Sequence, residues 1–116
     1  MPAYWSQQPN GKFCRFSTVV DTLTDWNRDL EQAVNMYNGY LPGYRDYPQQ
    51  LLNLRKENFI THLKPFSRIK EDFCPGNNSI AEFQEMLKEM GDTEGLSDEQ
   101  LRDYQKIEED IEGDTE

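Results

Sequence analysis

Negative charge is concentrated at one end of this chain, and it limits how that end can fold. Residues 71–116 contain sixteen acidic and three basic residues, whereas residues 1–70 contain six acidic and nine basic residues. A helix in such a segment must gather its few apolar residues on one face and turn its carboxylates to water. Capping boxes, which mark helix starts, occur twice here and predict two acidic helices: Ser79 with Glu82, and Ser97 with Gln100.

Apolar residues recur at helical spacing after each capping box. In the first helix, which Gly91 ends, they are Ile80, Phe83, Met86, Leu87 and Met90. In the second helix they are Leu101, Tyr104, Ile107 and Ile111. We therefore predict an acidic helical pair over residues 79–111 and a frayed acidic tail over residues 112–116.

The first seventeen residues have the pattern of a β-hairpin. Asn10-Gly11 readily adopts the positive φ angles of a tight hairpin turn, and it lies between two short segments rich in aromatic residues. The second strand should alternate between two faces, with Phe13 and Arg15 on one and Cys14 and Phe16 on the other. Because an isolated two-stranded ribbon is marginal in water, these aromatic residues must pack on the helices that follow.

Residues 18–74 are predicted to form a helical body. Apolar residues recur at three- and four-residue steps from position 20 onward, and Asn38-Gly39 supplies a helix stop. For residues 17–25 the alternatives stay open: the start of one long helix, a short turn before a helix that begins near Asn27, or a continuation of the strand. The last alternative rests on the β-branched residues Thr18, Val19, Val20 and Thr22.

A second helix of this body should run from Pro48 to about Leu63, because proline suits the first helical turn. Its inward-facing residues are predicted to be Leu51, Leu52, Phe59, Ile60 and Leu63. Residues 65–73 are predicted to add one short helix. Together these patterns predict one α+β domain over residues 1–111, mostly helical, with an N-terminal β-hairpin packed on about four helices, the last two acidic.

The sequence lacks the patterns of export and membrane insertion. The N-terminus has no charged segment followed by an apolar run, and no stretch approaches the roughly 20 apolar residues that span a bilayer. Cys14 and Cys74 stand in no metal-binding or redox spacing. We predict a cytoplasmic protein with two free thiols.

The carboxylates of the acidic helices are the main candidate site. Like charges at helical spacing repel, so such a surface either serves solubility or is retained because a basic partner needs it. The candidate partner-binding residues are Glu82, Glu85, Glu89, Asp92, Glu94, Asp98, Glu99, Asp103, Glu109, Asp110 and Glu112.

A basic segment, residues 55–70, has two aromatic residues among its positive charges. Such a pattern can bind nucleic acid, but the more numerous carboxylates of the chain make pairing with the acidic helices, within one molecule or across a dimer, the favoured interpretation. We therefore predict no direct contact with nucleic acid.

A tyrosine-rich loop offers a second, apolar candidate surface. Its residues Tyr40, Tyr44 and Tyr47 either form a contact patch for a partner or simply cover the core. No cofactor, metal or catalytic site is predicted. The lone His62 is interpreted as a packed or capping residue. The loop after Asp92 fails the EF-hand pattern, because Gly95 falls at position 4 instead of 6.

Two stretches of the chain resemble small uncharacterised proteins carried on phage-like mobile elements of Gram-positive bacteria. The first stretch contains Tyr4-Trp5, the run from Gln8-Pro9-Asn10-Gly11 through Phe13-Cys14-Arg15-Phe16 to Asp21, and Thr24-Asp25-Trp26-Asn27. The second is Phe83-Gln84-Glu85-Met86-Leu87-Lys88-Glu89-Met90-Gly91. The resemblance implies a mobile-element context, in which small acidic proteins block host defence or nucleic-acid enzymes, anti-CRISPR proteins among them.

Two functions follow as hypotheses. The first is a non-enzymatic inhibitor, similar to an anti-CRISPR protein, whose acidic helices block a basic nucleic-acid-binding protein by charge mimicry. The second is a self-associating structural or accessory protein of a mobile element, in which the tyrosine-rich loop and the hairpin form a homo-oligomer. Neither requires a membrane.

Overall fold

The predicted hairpin is present, and its turn is built from backbone hydrogen bonds that only a tight loop allows. The computed structural model describes residues 3–39 and 46–113, with side chains up to position 111. Strand β1 (Ala3–Gln7) pairs antiparallel with β2 (Phe13–Ser17). The Gln8 N–H donates to the Lys12 carbonyl over 2.8 Å, and Gly11 has φ +87°.

A turn over residues 18–21 and then a third strand follow, so none of the three alternatives for residues 17–25 describes them fully. After a turn in which Asp21 has φ +56°, β3 (Thr22–Arg28) pairs with β2. The region predicted as a helical body, residues 18–74, therefore begins with a turn and a strand, and its first helix starts at Leu30. The apolar spacing there fits both a helix and a strand, and pairing with β2 selects the strand. The sheet order is β1-β2-β3.

Five helices in the described residues complete the α+β fold. They are α1 (Leu30–Asn38), α2 (Gln49–Thr61), α3 (Ser67–Asp72), α4 (Ile80–Glu89) and α5 (Asp98–Gly113). The fold class is confirmed, with a three-stranded sheet in place of the two-stranded hairpin. Helix α5 includes Glu112, which was predicted to fray, and residues 114–116 lie outside the described part.

The sheet is buried on both faces, as the alternation of β2 predicts. Cys14 and Phe16 belong to a large hydrophobic cluster with α3, α4 and α5, in which Phe83 is fully buried. Phe13 belongs to a small cluster on the other face with α1 and α2, centred on Phe59. A register shift between Arg15 and Phe16 lets both Leu23 and Trp26 of β3 reach the large cluster.

Helix α2 is less buried than predicted. Phe59 is its one fully buried residue, and Leu52 is half-buried, as is Leu63 just after the helix. Leu51 and Ile60, both predicted to face inward, are exposed. The reason is that α2 meets the rest of the small cluster through a narrow face around Phe59.

The acidic helices pack as their apolar stripes predict, with one exception. Ile80, Phe83, Leu87 and Met90 of α4 are buried in the large cluster, together with Tyr104 of α5. Ile111 is exposed, because the contacts of α5 with the large cluster extend only to Ile107.

Candidate acidic binding surface

Helix α4 is held in one orientation by its capping box and its apolar stripe. The Ser79 hydroxyl accepts the Glu82 N–H over 3.1 Å, and a Glu82 carboxylate oxygen accepts the Ser79 N–H over 2.9 Å. These bonds lower the pKa of the Glu82 carboxyl, the backbone N–H of Ser79 being the main cause. With the stripe buried, Glu82, Glu85 and Glu89 are exposed along the opposite side.

The end of α4 is tied to the sheet. The Trp26 indole N–H donates to the Glu89 carboxylate over 2.8 Å, and the Asn27 amide donates to the Glu89 carbonyl over 3.2 Å. The backbone N–H of Asn10, in the hairpin turn, donates to the Met90 carbonyl over 3.2 Å. The two stretches that carry the mobile-element resemblance therefore contact each other directly.

Helix α5 is fixed against α3 and α4 by polar contacts as well as by its stripe. The Tyr104 hydroxyl donates to the Lys70 and Glu71 carbonyls of α3. A Glu108 carboxylate oxygen accepts the Ile80 N–H over 2.9 Å, placing negative charge at the N-terminus of α4, where the helix dipole favours it. Sequence reasoning missed this role of Glu108, because its partner lies 28 positions away.

Most of the predicted acidic residues are exposed on these two helices or, for Glu94, on the connection between them, and we call this exposed set the acidic surface. Its exposed members are Glu82, Glu85, Glu89, Glu94, Asp98, Glu99, Asp103, Glu109 and Asp110. Among the described residues, the one ion pair to any of them joins Glu85 and Lys88 at 3.9 Å. The side chain of Glu112 lies outside the described part.

Asp92 is an exception, and its assignment to a partner-binding surface is wrong. Its carboxylate lies 3.0 Å from the Lys70 ammonium, and the two side chains are only 8% and 12% exposed. The same carboxylate accepts the Gly95 N–H over 3.0 Å. Asp92 therefore fixes the α4–α5 connection to α3 and is not available to a partner.

The predicted pairing of the basic segment with the acidic helices is correct for Lys70 alone within the described residues. Arg68 instead pairs with Asp72 of its own helix, over 3.3 Å. Arg55 donates to the Gly39 carbonyl and the Asn35 side chain at the end of α1. Apart from Lys88, no basic side chain in the described part of the chain lies within salt-bridge distance of the acidic surface.

The remaining candidates have structural explanations or lie outside the described residues. His62 ends α2, with its Nδ1 2.7 Å from the Asn58 carbonyl and its ring stacked on Tyr37, which agrees with its interpretation as a capping residue. Tyr47 is half-buried. Tyr40 and Tyr44 lie outside the described residues.

Comparison with known proteins assigns neither a family nor a function to the chain. No family model, no curated protein and no solved structure matches the chain. Within residues 3–39 and 46–113, no three metal-ligating side chains gather into a cation site. Over the same residues, no helix has the length and apolar content needed to cross a bilayer.

Proposed function

We propose that this protein is a non-enzymatic binding module whose acidic surface engages a basic, nucleic-acid-binding protein in the cytoplasm. The observation that carries the proposal is the set of exposed carboxylates on α4 and α5, whose helices begin at two capping boxes. Among the described residues, Glu85 is the one member of this set that forms a salt bridge. The repulsion among them costs stability, and a basic partner would relieve it.

The charge density of α5 supports competition with nucleic acid. Between Asp98 and Asp110 the chain carries six acidic and two basic residues. At a rise of about 1.5 Å per residue this segment is about 18 Å long, with one net negative charge per about 4.5 Å. One DNA strand carries a charge per about 3.4 Å. The linear charge density of the helix therefore approaches that of one nucleic-acid strand, although it stays below that of a duplex, which carries a charge per about 1.7 Å.

The mobile-element resemblance supports the inhibitory form of this function. In that form the protein is an inhibitor similar to an anti-CRISPR protein, and it occupies the nucleic-acid-binding site of a host enzyme or defence protein. Nothing in this proposal needs a cofactor or a reaction at the surface.

The test is to capture a partner from the native host with the full chain and to measure its affinity as salt increases from about 50 to about 500 mM. Charge-driven binding should weaken markedly, and duplex DNA should compete for the partner. A triple variant, Asp103→Asn with Glu109→Gln and Asp110→Asn, should lose affinity. The matched control changes three exposed acids elsewhere: Glu31→Gln, Asp46→Asn and Glu57→Gln.

Affinity that does not depend on salt, or equal loss in the two triple variants, would reject the acidic surface as the binding site. A partner that binds no nucleic acid would reject mimicry.

Self-association is a second candidate, and the exposed leucines of α2 favour it. Leu54 is 62% exposed and Leu51 lies one turn before it. Sedimentation of the full chain at micromolar concentration should then detect a dimer that Leu54→Lys disrupts. A monomer at all concentrations would leave the acidic surface as the sole candidate of the two.

A further inference from the structure

A groove of about 420 Å³ beside α4 indicates which basic side chain the partner presents, an inference that rests on the function proposed above. Its lining combines apolar and acidic side chains. Its lining residues are Trp26, Ala81, Glu82, Glu85, Met86 and Glu89. A groove of this composition suits a ligand that is both apolar along its length and positively charged at its end.

The positions of the lining groups are fixed by contacts already described. Trp26 is half-buried against the large cluster, and its indole N–H is bonded to Glu89. One oxygen of Glu82 is used in the capping box. These contacts hold the indole and two of the three carboxylates in place before any partner arrives.

Glu85 is the carboxylate with most capacity for a new bond. Its side chain is 70% exposed, and the Lys88 ammonium is 3.9 Å away, which is beyond hydrogen-bond length. The Glu85 carboxylate can therefore accept hydrogen bonds from a cationic side chain in the groove, because Lys88 lies too far away to donate one to it.

Arginine fits this arrangement better than lysine. Its planar guanidinium donates two parallel N–H bonds to a carboxylate and stacks on aromatic rings, while lysine offers a compact, strongly hydrated point charge. Its alkyl stem can also cover apolar surface. We propose that the groove binds an arginine side chain of the basic partner, with the guanidinium paired to Glu85 and the stem along Trp26 and Met86.

The test uses two probes of equal length and charge, hexa-arginine and hexa-lysine peptides, titrated into the full chain at about 50 mM salt. We expect hexa-arginine to bind about fivefold more tightly, from guanidinium stacking and bidentate pairing. It should also shift the NMR signal of the Trp26 indole N–H more than hexa-lysine does.

Two isosteric variants distinguish binding in the groove from general attraction to negative charge. Glu85→Gln should remove the preference for arginine, whereas Glu109→Gln on α5 removes the same charge outside the groove and should weaken both peptides equally, by less than about twofold. Equal affinity for the two peptides, or an unchanged preference for arginine in Glu85→Gln, would reject the groove as an arginine site. Neither result would count against the acidic surface as the partner-binding site. Failure of both peptides to bind would instead count against the acidic surface itself.

Discussion

Gly91 lies against Asn10, so the end of α4 and the turn of the hairpin meet at a point where any side chain on residue 91 would press against Asn10. A Cβ built on Gly91 would lie 3.0 Å from the Asn10 Cβ and 3.2 Å from its backbone nitrogen. Gly91 also has φ +88°, and the Asp92 N–H reaches back to the Leu87 carbonyl over 2.9 Å. This is the Schellman ending of a helix, for which glycine is preferred.

The Gly91→Ala variant should therefore be destabilised for two reasons, the left-handed backbone and the lack of space. We expect the free energy of unfolding to fall by about 2 to 3 kcal/mol in urea denaturation. Gly95→Ala is the matched control, because Gly95 has φ +69° but nothing lies within 4 Å of a Cβ there. It should lose only about 1 kcal/mol. Equal losses would show that the contact with Asn10 is unimportant.

The buried pair of Lys70 and Asp92 should contribute more to stability than the exposed pair on α3. Asp92→Asn leaves a largely buried ammonium without its counter-charge, and we expect the free energy of unfolding to fall by about 3 kcal/mol. Arg68→Ala breaks a pair whose side chains are 52% and 31% exposed, and should cost less than about 1 kcal/mol. A double variant, Lys70→Met with Asp92→Asn, should lose less than the two single variants added together. Similar losses for Asp92→Asn and Arg68→Ala would contradict the importance of burial.

The capping box of α4 should make stability depend on pH. The folded state lowers the pKa of Glu82 below its ordinary value of 4.5, so this group stabilises the fold fully above that value. The contribution is lost as the pH falls through the lowered pKa. NMR titration should locate that pKa directly.

Glu82→Gln should show a smaller loss of stability between about pH 7 and about pH 3 than the native chain, because it cannot titrate. Glu85→Gln, on the same helix but outside the capping box, is the control and should retain most of the native pH dependence. Identical pH profiles for the native chain and Glu82→Gln would refute the role of the capping box.

The two thiols should differ in reactivity although burial raises the pKa of both. Cys14 is fully buried with its pKa raised to about 12, and Cys74 is only partly buried. Because the thiolate is the reactive form, alkylation at about pH 8 should be slow at both and should reach Cys74 first. Peptide mapping by mass spectrometry measures each rate. Equal rates at the two cysteines would mean that the β2 region opens readily.

Local signals in the sequence determined much of this fold. The capping boxes at Ser79 and Ser97 mark the starts of α4 and α5, and Asn10-Gly11 marks the hairpin turn. The alternation of Phe13 and Cys14 assigns them to opposite faces of the sheet. Each of these features depends on residues within a few positions of one another, so the sequence pattern reports it directly.

Only the tertiary structure decided the features that depend on residues far apart in the chain. Residues 22–28 fit a helical period, but hydrogen bonds to β2 make them a strand. In the sequence Asp92 looks like one more surface acid, but in the structure it is largely buried and paired with Lys70, 22 positions earlier. Glu89 meets Trp26 across 63 positions, a contact that creates one wall of the groove on α4. Such pairings bring together groups that are remote in the chain, and neither local propensity nor charge count specifies which of several carboxylates finds the distant partner.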